Sequence, residues 1–464
     1  MNEQISSLGC RRRFLILLIT FALAGCNFPG LTSTPSSTEV DHASTESPTE
    51  TQGVEDLTTA TPTTDMPPQL TPTEPFPPEL PGQCRPFPDQ IYVPGQDQWL
   101  GNSFWVKCGG SSEPIEARPP VEGLFLDYSN QTGKMLYGTE YVERPEDLDF
   151  WVGNYTLWIY DFRTDTSTRW IQGGVLEARW ASEVDNQGQQ RLAVIMADGT
   201  VGLVPGPGEV IELANIKRYD SEMDVCCITW ASSGDKLAYI KNESLYVIPT
   251  TPQEPRLMAE NAYGRPVWVR EEQLLLFPSS IVKVAKADGS GPFIPQIPDG
   301  NRVWVMPERA FLWDPENRTL VFDEFHIPEA QHAVTWVYTF SEDFENVIEQ
   351  YSFERQDASY LLAWYDLGNT GITSNGELIS LQLSDERITI EGIIDRIYQG
   401  RYMLWLEDDP FPRISVSLRA QMKDANGNKI TILDLDEGNH VRISGKSIAD
   451  GDGFLALEIQ IIED

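Results

Sequence analysis

From Leu124 onward, short apolar runs alternate with polar turns in a pairwise rhythm. A run, a turn rich in Gly, Asn, Asp or Ser, and a second run make one hairpin, and another hairpin follows before the rhythm restarts. The stretch "TWASSGDKLAYIKNESLYVIP", Thr229 to Pro249, is the clearest example. Similar first hairpins start at Leu124, Ala178, Val267, Phe311 and Leu361, and second hairpins at Leu157, Val201, Leu245, Val282, Trp336 and Leu378. The pattern predicts six units of four strands at a mean spacing of roughly 45 residues. Runs such as Leu237 to Ile240 lack strict polar alternation, as expected for strands covered on both faces. One four-stranded sheet cannot cover both of its own faces, whereas sheets stacked side by side can. Thirteen Trp and sixteen Tyr favour strands, and long amphipathic helical patterns are missing. A pair of β-sandwiches is the rival architecture, but hairpins that come in pairs favour a propeller.

Trp230 to Tyr239 and Trp313 to Phe322 share the pattern W-[AD]-x-x-[GN]-[DR]-x-L-[AV]-[YF], which resembles the TolB-like, WD40-like propeller repeat. The resemblance covers about Leu124 to Glu386 and implies an all-β, about six-bladed β-propeller. It also implies a scaffold for protein or ligand contact, with no chemistry attached to the fold itself. The segment 83–123, with "QIYVPG" and "NSFWVKC", is expected to close or cap the ring. Trp180, Trp230, Trp268, Trp313 and Trp364 recur at one position of the repeat. A ring of sugar-stacking aromatics is one reading of them, and packing between blades is the expected one.

After about Glu386 the rhythm changes to five or six short strands, with "DANGN" and "ADGDG" as turns. Residues 387–464 resemble a small OB-like β-barrel. Such barrels often bind oligonucleotides or oligosaccharides, but nine basic against fourteen acidic residues disfavour a nucleic-acid groove here. Trp405 and Tyr402 are candidates to stack a sugar or to fill the barrel.

The chain begins with the layout of an exported protein. Arg11, Arg12 and Arg13 precede the apolar run Phe14 to Ala24, which is too short to span a bilayer alone. The ending "LAGC", Leu23 to Cys26, resembles the lipobox of bacterial lipoproteins. That resemblance implies a signal peptide over 1–25, lipid on the Cys26 thiol, and an extracytoplasmic protein held at a membrane by acyl chains. Residues 26–82 are rich in Thr, Ser, Pro and acids and contain no Lys or Arg. Too little apolar surface is available there to offset chain entropy, so the segment reads as a disordered tether.

Cys10 leaves with the signal and Cys26 goes to lipid, which leaves Cys84, Cys108, Cys226 and Cys227 in a compartment where disulfides persist. Cys84 with Cys108 is the simplest pair. Adjacent residues of a strand point to opposite faces, so Cys226 and Cys227 are expected to be free buried thiols, with a vicinal disulfide as the alternative.

The net charge of −36 further opposes contact with nucleic acid. Catalytic signatures are missing: there is no G-x-S-x-G, H-E-x-x-H, P-loop or G-x-G-x-x-G. His42 lies in the tether, and Pro328 breaks any helix that would align His326 with His332, so a loop is expected there and no metal or cofactor. Acid pairs such as Asp323 and Glu324 are common in so acidic a chain, and neither "DANGN" nor "ADGDG" completes an EF-hand. The expected function is a non-enzymatic, lipid-anchored binding protein whose propeller contacts protein, peptide or glycan. The alternatives are a propeller-type carbohydrate-active hydrolase or lyase, and a component of an envelope protein complex.

Overall fold

The computed structural model describes residues 80–463 apart from 81, 94–98, 102, 141–154, 185–187, 216–224, 252, 280, 297–310, 325–332, 356–358, 360, 408–410, 412 and 449–452. The signal, Cys26, nearly all of the tether, His42 and the 326–332 segment therefore lie outside the described residues. What is described falls within one compact unit, Pro75–Asp464, and is built almost wholly of strands. Among the described residues, helical structure is limited to three 3-10 turns, and no helix is long and apolar enough to cross a membrane.

Antiparallel four-stranded sheets follow one another along the chain, as the paired hairpins predict. Sheet I takes Gly123–Ser129, Lys134–Glu140 and Tyr155–Asp161, with a fourth strand from the first half of Thr166–Val184 and the short Trp99–Leu100 paired at its edge with Gly123–Ser129. The second half of that long strand opens sheet II, which continues through Gln190–Met196, Thr200–Gly206 and Glu209–Asn215. Gly173 and Gly174 divide the two halves, both with the positive φ that only glycine adopts without strain. Sheet III comprises Val225–Trp230, Lys236–Lys241, Ser244–Pro249 and Arg256–Glu260. Sheet IV comprises Val267–Val269, Leu274–Pro278, Val282–Lys286 and Pro292–Phe293. Sheet V comprises Leu312–Asp314, Thr319–Asp323, Ala333–Phe340 and Val347–Arg355.

Sheet VI stops at three strands, Leu361–Asp366, Thr370–Thr373 and Leu378–Ser380. The stretch expected to complete it runs instead as Leu383–Tyr398 and pairs with His440–Ile448 of the C-terminal barrel. Sequence pattern could not separate these outcomes, because a strand reads alike whichever partner it finds.

Apolar clusters join each sheet to the next. Leu126 and Leu157 of sheet I meet Ala178 and Leu192 of sheet II, and Ala193 and Val201 of sheet II meet Leu237 and Tyr239 of sheet III. Ile240 and Val247 meet Leu275 and Phe277, Leu276 meets Phe322, and Val337 meets Leu361. A three-stranded N-terminal sheet, Gln90–Tyr92, Phe104–Lys107 and Ile115–Ala117, completes the circle. Its Val106 and Phe104 pack with Met135 and Tyr160 of sheet I, while Tyr92 packs with Tyr365 and Ile372 of sheet VI. Gly376, at φ +81, sits under Trp105, where a Cβ would collide with the indole. Among the described residues seven sheets thus stand in cyclic succession, a β-propeller in which the N-terminal sheet packs between sheets I and VI.

The five recurrent tryptophans explain the seams. Trp180, Trp230, Trp268, Trp313 and Trp364 each belong to the cluster shared with the preceding sheet. The indole N–H of Trp230 donates to the Arg179 carbonyl at 3.0 Å, and that of Trp268 to the Thr229 carbonyl at 3.4 Å. In both cases the acceptor lies one residue before the previous tryptophan of the series. These residues pack blades together and do not form a sugar-stacking ring.

The C-terminal module is a closed barrel of five strands: Leu383–Tyr398, Met403–Leu406, Ile414–Lys423, His440–Ile448 and Phe454–Glu463. The first pairs with the second, the second with the third, the third in parallel with the fifth, the fifth with the fourth and the fourth with the first. Leu404, Ile414, Val441, Ile443 and Phe454 fill it. Its third strand lies against the outer strand of sheet V, where the Ser352 N–H donates to Ser415 Oγ at 2.8 Å.

Candidate functional site at the ring axis

The innermost strand of a propeller blade lines the axis, and the first strands of sheets I and II, with the segment leading into sheet IV, bring charged groups together there. Asp127 comes from sheet I, Glu177 and Arg179 from sheet II, and Arg265 from just before the first strand of sheet IV. Arg179 reaches Glu177 Oε1 through Nε at 3.2 Å and Asp127 Oδ1 through Nη1 at 3.6 Å. Arg265 Nη2 lies 2.7 Å from the same Glu177 Oε1. The Glu177–Arg265 contact joins sheets two places apart, which is possible only near the axis, where the sheets converge.

The two carboxyls sit in different environments. Burial pushes the Asp127 carboxyl above its ordinary range, despite the Arg179 charge and a 2.7 Å hydrogen bond from the Trp180 N–H. Burial acts on Glu177 in the same sense, but Arg265, Arg179 and the Cys227 N–H together outweigh it and hold Glu177 below the usual value. The site therefore keeps one carboxylate firmly charged and makes the other easier to protonate. Arg265 Nε is buried without a hydrogen-bond partner.

Sheet III contributes a disulfide. Cys226 and Cys227 are bonded to each other, which corrects the expectation of free thiols. The reason lies in the backbone: Cys227 leaves extended geometry for a φ of +71°, and the ladder slips between Cys226 and Thr229. The argument that neighbouring side chains must diverge holds only for a regular strand. In this conformation the N–H groups of Cys227 and Ile228 both point to Glu177 Oε2, the second at 3.3 Å.

Glu177, Cys227 and Arg265 each stand three residues before a recurrent tryptophan, Trp180, Trp230 and Trp268. That shared offset was the signal in the sequence that could have found the cluster. The residues singled out from sequence fall elsewhere. Cys84 and Cys108 are joined in a disulfide beneath the closing sheet. Asp323 is buried against Arg355 Nη2 at 3.1 Å, Thr335 Oγ1 at 2.8 Å and the Leu361 N–H at 2.8 Å. Glu324 accepts from the Trp336 indole at 3.1 Å and from Arg401 at 2.9 Å. Both acids are held in structural networks.

In the barrel, Tyr402 is buried, and the guanidinium groups of Arg396 and Arg413 lie 5.6 and 5.7 Å from the centre of the Trp405 ring. The Asp424 carboxylate closes its own turn by accepting from Asn426 and Asn428. Among the described residues no group of three or more His, Cys, Asp or Glu side chains is placed to hold a metal ion.

No protein-family model and no curated protein matches the chain. Solved structures to which it is similar include the β-propeller domain of Myceliophteria thermophila Swd1, at 9% identity and a TM-score of 0.41, covering 64% of this chain and 93% of that one. Kluyveromyces lactis Hsv2 is similar at 12% identity and a TM-score of 0.40, covering 61% and 89%. The dihydro-heme d1 dehydrogenase NirN is similar at 14% identity and a TM-score of 0.34, covering 65% and 75%.

Proposed function

We propose that this protein is a lipid-anchored extracytoplasmic binding protein whose propeller offers a contact surface for protein, peptide or glycan. The observation that carries the reading is the mutual engagement of the charged groups at the axis. Glu177 is held by two arginines and two backbone N–H groups, and Asp127 by Arg179 and the Trp180 N–H. A carboxylate saturated in this way is suited to clamping blades together and poorly suited to attack or proton transfer. The two disulfides support an oxidising location. The strand order 1-2-3-5-4 with its single parallel pair supports reading the C-terminal barrel as OB-like.

Anchoring is tested by Cys26→Ser, which should move the protein from membranes to the soluble fraction; retention at the membrane would refute lipid attachment at that residue. Binding is tested by affinity capture with the full chain against envelope proteins and glycans, where recovery of no specific partner would sink the reading.

A carbohydrate-active hydrolase or lyase is the second reading, favoured by one observation. Two carboxyls with oppositely shifted acidities meet two arginines at the axis, a division of roles that acid–base catalysis uses. Glycan turnover by the wild type that Asp127→Asn and Glu177→Gln both abolish would establish it; no turnover of any envelope polysaccharide would dismiss it.

A further inference from the structure

The two faces of sheet III are built differently. Toward sheet IV, the seam is closed by Ala238, Ile240, Leu245 and Val247 against Leu275 and Phe277. Toward sheet II, Leu237, Tyr239 and Ile248 pack the seam with Tyr246 partly buried against them, and Lys241 stands at its edge. Tyr239 and Tyr246 are cross-strand partners, and their rings stack with centroids 5.6 Å apart and planes 16° from parallel. A cleft of about 480 Å³ opens over this pair. Its walls come from the last residues of sheet II, including Glu212 and Asn215, and from the loop of sheet III carrying Gln253 and Glu254. Its volume falls within the range of small-ligand sites, roughly 300–1,000 Å³.

We propose that this cleft binds a short neutral saccharide, which makes it the glycan contact site of the binding function proposed above and rests on that reading. Three features select the ligand. Tyr246, partly exposed and backed by the fully buried Tyr239, presents an aromatic surface to the cleft of the kind that accepts the C–H face of a pyranose. Around it stand the Asn215 and Gln253 amides, the Glu212 and Glu254 carboxylates and the Lys241 ammonium. These groups supply donors and acceptors for a fringe of hydroxyls. Charges of both signs stand at the walls, so a ligand of either single charge meets a repulsive partner along with an attractive one, whereas hydroxyls can donate to the carboxylates and accept from Lys241.

The test uses the full chain in a sugar-free detergent, titrated with cellobiose and N,N′-diacetylchitobiose while the amide and tyrosine resonances are followed. Digalacturonate and trilysine serve as charged comparators. Saturable binding of at least one neutral disaccharide is expected, weakened tenfold or more by Tyr246→Ala and largely kept by Tyr246→Phe. Absence of saturation by both neutral disaccharides, binding that Tyr246→Ala leaves unchanged, or preference for trilysine or digalacturonate would each overturn the proposal. Affinity capture separates this from failure of the broader reading. A Tyr246→Ala protein that still captures the wild-type partner removes only this site, whereas a wild type that captures nothing removes the binding function with it.

Discussion

The seam between sheets III and IV and the joint between sheet V and the barrel solve one problem, the joining of two β-structures, by opposite means. The seam is apolar, with Leu275, Phe277 and Ala285 against Ala238, Ile240 and Val247. The joint keeps an apolar component in Met403 and Val416 but adds directional contacts. Arg413 pairs with Glu354 at 2.6 Å, Arg401 with Glu324 at 2.9 Å, Ser417 donates to Glu349 at 2.8 Å, and Gln350 Nε2 donates to the Arg401 carbonyl at 3.2 Å. Apolar burial is strong and tolerant of small rotations, whereas hydrogen bonds are met in one orientation only. The seam therefore supplies stability and the joint supplies a defined pose for the barrel.

That contrast is open to direct attack. Phe277→Ala should cost the most, about 3–5 kcal/mol of unfolding free energy through lost burial and a cavity in a closed seam; urea denaturation measures it, and a loss below about 1 kcal/mol would deny the seam its role. At the joint, Arg413→Ala should cost on the order of 2 kcal/mol, less than the ~3–5 kcal/mol of a fully enclosed pair because Glu354 keeps some solvent. The double replacement Arg413→Met with Glu354→Leu should recover most of that loss while loosening the barrel, seen as faster proteolysis between propeller and barrel.

The pH dependence gives a third contrast. Burial pushes the Glu349 carboxyl above its ordinary value in spite of hydrogen bonds from Ser417, Gln350 and Leu418. A raised folded value means that the contribution of Glu349 to stability is complete below the unfolded pKa and is lost as pH rises through the folded one. Glu177, held below its ordinary value by the net effect of its arginines and N–H donors, does the reverse: its contribution is present above the unfolded pKa and fades as pH falls through the folded one. The difference in melting temperature between Glu349→Gln and wild type should thus shift in favour of the variant as pH is raised from about 4 to about 8. A flat difference would remove Glu349 from the account. The smallest effect belongs to the exposed barrel pair Arg442–Glu391, whose loss through Arg442→Ala should stay within ~1 kcal/mol.

The repeated parts of the fold were legible because repetition is itself a pattern. The tryptophans located every inner strand from sheet II to sheet VI, and paired hairpins marked the blades. Parts that occur once were harder to read. Asp127, Glu177 and Arg265 meet only because a ring folds distant sheets onto one axis, and only the three-residue offset from the tryptophans hinted at it. The vicinal disulfide depends on a left-handed Cys227 that no alternation rule anticipates. The strand Leu383–Tyr398 has apolar content suited to either module, and pairing alone settled its place in the barrel.

The Cys84–Cys108 bond has a mechanical meaning as well. It encloses the strands Gln90–Tyr92 and Phe104–Lys107, which help to close the ring. Tension applied to the chain on the N-terminal side of Cys84 passes through the sulfur bridge straight to Cys108, so these two strands bear no load. The covalent staple turns the weakest point of a closed ring, the place where its two ends meet, into a segment shielded from pulling. Under a reducing agent the same pull would peel the closing sheet first, and the force at which the ring opens would drop accordingly.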